Sequence, residues 1–145
     1  DGEFRPSAVV NLGVAIALRD GGLVTPAILG AEQRSLVETM AALRDLVQRS
    51  RDGRLRASEM ASGTITVTNL GDTGVDAVQG VIYPPQVAIA GFGRPSERPW
   101  AENGMLTVRT VITLTLAGDH RISNGHRGGV FLNAITRRIQ TPERL

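Results

Sequence analysis

The chain of 145 residues contains no cysteine. That excludes a disulfide framework, a thiolate metal site and a cysteine nucleophile together. Lysine is absent as well, since all 16 basic residues are arginine. Without an ε-amine these residues can offer no Schiff base, no P-loop lysine and no lysine-borne prosthetic group. Aromatic residues make up only 3%, and no apolar run approaches the roughly 20 residues that a membrane-crossing helix needs. Charge of one sign is not in surplus either. Sixteen arginines against 14 acids leave a net +2, so the sequence pI of about 10.3 reflects arginine's refusal to deprotonate. So balanced a chain has little electrostatic grip on phosphates, and neither a nucleic acid nor a membrane is expected as a partner. The polar opening residues lack the basic-then-apolar pattern of a secretory leader, so a cytoplasmic location is expected.

What is present suffices for one core. With 41% hydrophobic residues over 145 positions, a single domain spanning 1–145 is expected. Residues 9–18 are almost wholly apolar and read as a buried strand. Asp20-Gly21-Gly22 signals a turn, and Leu23 to Ile28 reads as a second strand whose Pro26 suggests an edge. Ser35 and Glu38 form a capping-box pattern, and Leu36, Met40, Leu43 and Val47 then fall on one helical face. Gly53 is the expected stop, with Ser58 capping a further turn before Gly63. Strands are expected over 64–70, 86–92 and 105–116, the last with threonine at 107, 113 and 115. Residues 75–83 fit no pattern, 93–104 read as a polar loop, and Val130, Phe131, Ala134, Ile135 and Ile139 fit a closing helix. The sum is an α+β fold with a mixed or antiparallel sheet and two main helices.

Only His120 and His126 are histidines. His120 directly follows the longest expected strand, where a rigid scaffold can aim a side chain, and imidazole is the side chain best suited to general-base work near neutrality. Two histidines six residues apart without cysteine match no common zinc spacing, so no metal is expected. Arg49, Arg51, Arg54 and Arg56 cluster at a helix end. There they can complement the helix dipole in water, or contact phosphates or a partner subunit.

Four blocks in register carry a resemblance. Thr113 to Gly125 reads TLTLAGDHRISNG, Gly63 to Gly71 reads GTITVTNLG, and Pro84 to Ile89 reads PPQVAI. The fourth is Asn11 to Ala15, NLGVA, followed by Gly22 to Pro26, GLVTP. Together they resemble the catalytic, inner-core domain of the dihydrolipoyl acyltransferases of 2-oxo acid dehydrogenase complexes. That resemblance implies a two-layer sandwich like that of chloramphenicol acetyltransferase. It also implies a homotrimer, often within a larger hollow core, with active sites at subunit boundaries.

By the same resemblance His120 is the general base that takes a proton from the thiol of coenzyme A or of dihydrolipoamide. Thr68 stands where the family usually has an oxyanion-stabilising serine, its extra methyl stiffening the side chain. Asn124 replaces the commoner aspartate and is expected to organise the site. Asp119, Arg121 and Gly125 are expected to hold the turn, and His126 falls where the family has a small residue. The implied activity is acyl transfer between a dihydrolipoyl thiol and coenzyme A, with acetyl or branched-chain acyl groups and no metal. The lipoyl group is expected on a domain outside these residues, as is a preceding segment of the family's catalytic domain. Implied partners are that lipoyl domain and the dehydrogenase and dihydrolipoamide dehydrogenase components. A scaffold relative with little catalysis, or a stand-alone acetyltransferase of a small molecule, are the competing readings.

Overall fold

The computed structural model describes residues 3–144. A five-stranded mixed sheet organises the chain. Its strands are β1 (Leu12–Val14), β4 (Ala27–Ile28), β5 (Ile65–Asn69), β6 (Ala88–Phe92) and β9 (Leu114–Gly118), in the order β4-β1-β5-β6-β9. The three inner strands β1, β5 and β6 run parallel, while β4 and β9 close the two edges antiparallel. Two ribbons stand apart from it: β2 (Ile16–Ala17) with β3 (Leu23–Val24), and β7 (Ser96–Glu102) with β8 (Met105–Val111).

Registers assign the faces, because partners across a ladder share a side and neighbours along a strand do not. Leu12, Ile28, Ile65, Val67, Ala90 and Leu116 therefore lie on one face. Helix α1 (Leu36–Arg51) covers the β4–β1 end of that face, where buried Leu46 meets Ile28 and Ile16, flanked by Val14, Leu43 and Val47. Helix α3 (Gly125–Ile139) covers the β9 end of the same face. Gly128 faces Leu116 there, and a Cβ in its place would make an ordinary contact with Leu116 Cδ2 at 3.4 Å. Two helices on one face of one sheet make the two-layer α+β arrangement. The opposite face lies under the irregular segment 75–86. Thr66 Oγ1 donates to Gln86 Oε1 at 2.7 Å, Thr115 Oγ1 donates to the Val78 carbonyl, and Gly91 leaves room for that carbonyl to pass.

The Ser35–Glu38 capping box is formed in full: Ser35 Oγ accepts from the Glu38 amide, and Glu38 accepts from the Ser35 amide at 2.8 Å. The short α2 (Ala57–Ala61) starts after Arg56, where Ser58 was expected to cap, and Glu59 accepts from the Arg56 amide at 2.9 Å. Glu59 is buried, and receives both Arg49 terminal nitrogens at 2.7 and 2.8 Å, so that α1 and α2 are clasped together. Of the arginine cluster, Arg49 is thus committed inside the fold.

Three strand readings need correction. Residues 9–18 and 23–28 do not form two strands but four short ones, because Ala15 and the Thr25-Pro26 pair redirect the chain out of the main sheet. Residues 105–116 break at Ile112-Thr113 into β8 and β9, which belong to different sheets. Part of the expected loop 93–104 is β7, which pairs with β8 along its whole length around an Asn103-Gly104 turn with φ of 52° and 76°. Charge and proline disguised that strand. No helix among the described residues is long and apolar enough to cross a membrane.

Candidate active site

Strand β9 ends at Gly118 opposite Ala88, and the chain leaves it through a tight turn. The Asp119 amide donates to the Val87 carbonyl at 2.8 Å, and its own carbonyl accepts from Ile122 and Ser123, both at 3.0 Å. The Asp119 carboxylate grips Arg121, accepting from its amide at 3.0 Å and from Nη2 at 2.6 Å. Those bonds hold its carboxyl well below the usual carboxylate range, at about 2. With both neighbours bound to each other, His120 is left at the apex with its imidazole exposed.

Asn124 ends the turn and starts α3. Its Oδ1 accepts from the Arg127 amide at 3.0 Å, so the side chain is an N-cap. Helix α3 therefore begins five residues before the apolar periodicity becomes visible at Val130. His126 lies exposed in its first turn.

Between this turn, the start of α3 and the sheet lies a cavity of about 560 Å³. Its walls are largely apolar, with Leu116, Val87, Ile122 and Phe131 among them, and His120 and Asn124 add polar groups to the lining. Phe4, from the extended segment before β1, reaches it as well. A group of this size and polarity suits a small organic ligand whose reacting atom meets the imidazole.

Thr68 is elsewhere. It lies on β5 opposite Gly91, on the face away from the helices and toward the other end of the strands from His120. Counting residues along β6 and β9 separates the two by on the order of 15 Å within one chain. The sequence reading missed Arg127 and Phe131 as cavity residues. Asn124-Gly125 was the available signal, since asparagine before a glycine-led helix is a preferred cap.

The model of the 2-oxoacid dehydrogenases acyltransferase catalytic domain matches residues 1–145. The chain belongs to that family. Among its relatives is the dihydrolipoyllysine-residue acetyltransferase component of the pyruvate dehydrogenase complex of Rickettsia bellii. It is 35% identical over 133 residues, which cover 92% of this chain and 32% of the relative. A solved structure of the Azotobacter vinelandii dihydrolipoamide acetyltransferase superposes with a TM-score of 0.85 at 29% identity, covering 91% of this chain and 54% of that one. It was studied for the role of a serine, a histidine and an asparagine in its catalytic mechanism. The cubic core of the pyruvate dehydrogenase multienzyme complex gives the same TM-score of 0.85, at 29% identity and with 91% and 54% covered. The chain spans about a third of the curated relative and about half of each solved chain.

Proposed function

We propose that this domain transfers an acetyl group between a dihydrolipoyl thiol and coenzyme A within a pyruvate dehydrogenase complex, in the cytoplasm. One observation carries the reading. The serine, histidine and asparagine studied in the Azotobacter enzyme follow one another at intervals of 52 and 4 residues, and Thr68, His120 and Asn124 stand at those same intervals here.

The chemistry follows from the turn. A thiol with an ordinary pKa near 8.5 is scarcely ionised at neutral pH. An imidazole nitrogen of His120 takes the thiol proton as the sulfur attacks the thioester carbonyl of the other partner. The carbonyl oxygen becomes an oxyanion, to which the Thr68 hydroxyl donates. Collapse expels the second sulfur, which takes the proton back from His120. Nothing is oxidised, and no acyl-enzyme forms. A base so placed contributes about 10²–10⁴-fold, and one oxyanion donor about 3 kcal/mol. Asn124 fixes the turn and the head of α3. The clasp between Asp119 and Arg121 keeps both from competing for the imidazole.

Because Thr68 and His120 lie far apart in one chain, the reading requires that the hydroxyl come from a neighbouring copy, at a subunit boundary. The exposed surface supports this. The chain exposes 10228 Å², whereas a compact monomer of this mass exposes roughly 7,200 Å². The excess includes Met40, Leu106 and Val130, the side chains a homotrimer within a larger core would cover. The lipoyl group arrives on a domain outside these residues. The two dehydrogenase components are the remaining partners.

The test is acyl transfer from acetyl-, isobutyryl- and succinyl-coenzyme A to dihydrolipoamide by the assembled full-length protein. Acetyl transfer should be fastest and should fall about 10²–10⁴-fold in His120→Ala, with the oligomer retained. A parent-like rate in that variant would refute the base, while an assembled protein inert toward every donor would be the scaffold.

A further inference from the structure

The cavity beside His120 has an uneven charge. Of its lining residues only Arg127 carries a permanent charge, and none is an aspartate or glutamate. Several other described arginines are answered by acids: Arg49 by Glu59 and Asp45, Arg54 by Asp52, Arg94 and Arg98 by Asp76, Arg109 by Glu102 and Arg121 by Asp119. Among the described residues, Arg127 makes no such ion pair. Its backbone is nevertheless well fixed, since the amide is held by Asn124 Oδ1 at 3.0 Å and the residue sits in the first turn of a fifteen-residue helix. Glycines at 125, 128 and 129 also line the cavity, and a Cβ at Gly125 or Gly129 would meet nothing within 4 Å. The first turn of α3 therefore presents open space with a single guanidinium in it.

Arg127 is exposed, and a guanidinium with no acid beside it, lining a largely apolar cavity, can take an oxyanion through bidentate, charge-assisted hydrogen bonds. We propose that Arg127 binds an anionic group carried by the acyl thioester substrate and so sets substrate preference. The inference rests on the acyltransferase reading for the identity of that substrate. Two parts of such a substrate carry oxyanions: the phosphates of coenzyme A, and a carboxylate at the far end of a dicarboxylic acyl chain.

The experiment measures equilibrium binding, without turnover, of four ligands to the assembled full-length protein: acetyl- and succinyl-coenzyme A, and acetyl- and succinyl-pantetheine, which lack phosphates. The variants are Arg127→Gln, Arg127→Lys, and Arg137→Gln, which removes an equal charge from the far end of the same helix. Arg127→Gln should weaken at least one class about tenfold, with Arg127→Lys recovering part of the loss and Arg137→Gln unchanged. Loss for both succinyl ligands alone identifies the carboxylate, and loss for both coenzyme A ligands alone identifies the phosphates. Unchanged binding of all four, or an equal loss for acetyl-pantetheine, which has no anion, would overturn the proposal. Failure of the acyltransferase reading shows separately, as intact binding without His120-dependent transfer.

Discussion

Helices α1 and α3 have 16 and 15 residues and lie on the same face of the same sheet, yet they are finished differently. Helix α1 sinks Leu46 and Ser50 into the fold, closes its N-terminus with a reciprocal box and ties its last turns to α2 through Arg49 and Glu59. Helix α3 has a one-sided cap, no acid in its first turn and no buried residue. The α1 end is a core in its own right, whereas the α3 end leaves Val130 and Phe131 52% and 40% exposed, Phe131 lining the cavity.

Paired truncations would sharpen that contrast most. Leu46→Ala should lower unfolding stability by about 3 kcal/mol, as buried leucines do. Val130→Ala should change the stability of an isolated subunit by less than about 0.5 kcal/mol yet weaken assembly, read by sedimentation. Equal effects of the two on subunit unfolding would dissolve the distinction.

Next in size is the clasp. Glu59→Gln should cost about 2 kcal/mol, less than the 3–5 of a fully buried broken pair, because the Arg49 side chain keeps 19% exposure. Arg49 holds the Glu59 carboxyl below its ordinary value. Its contribution is therefore present above pH 4.5 and is lost as pH falls through the lowered value. Thermal unfolding of parent and variant should converge toward low pH; a constant gap would argue against the ion pair. Asn124→Ala should cost about 1 kcal/mol as a lost cap, with hydrogen exchange accelerated in the first turn of α3 and not in α1. The smallest effect concerns the turn: the Asp119 carboxyl, titrating at about 2, should keep its grip on Arg121 from neutral pH down to that point. A carbon-detected NMR titration that finds it near 4 would show the clasp to be open.

Much of this was legible from residue order, for reasons that can be named. Ser35, Glu38 and the stripe from Leu36 to Val47 specify α1 because capping and periodicity are local. The turn holding His120 was legible for the same reason, since Asp119 and Arg121 are two residues apart. What stayed hidden depends on pairing at a distance. Strand β7, written SERPWAE, has no apolar alternation and is a strand only because Met105–Val111 lies beside it. The start of α3 was missed because three glycines and an arginine precede its apolar stripe. Thr68 was recognisable as a site residue only through the family pattern, since nothing local separates it from Thr66, which is buried against Gln86.

The β7–β8 ribbon carries a further consequence, for the solubility of the chain. A two-stranded ribbon is marginal by itself, and this one shows Met105, Leu106 and Val108 to water at 69%, 78% and 64%. Sticky strands with open edges recruit one another into aggregates unless something blocks the approach. Pro99, which has no amide hydrogen to offer, and the flanking Arg98, Glu102 and Arg109 charges are placed to do so. They act as gatekeepers that keep the exposed ribbon soluble.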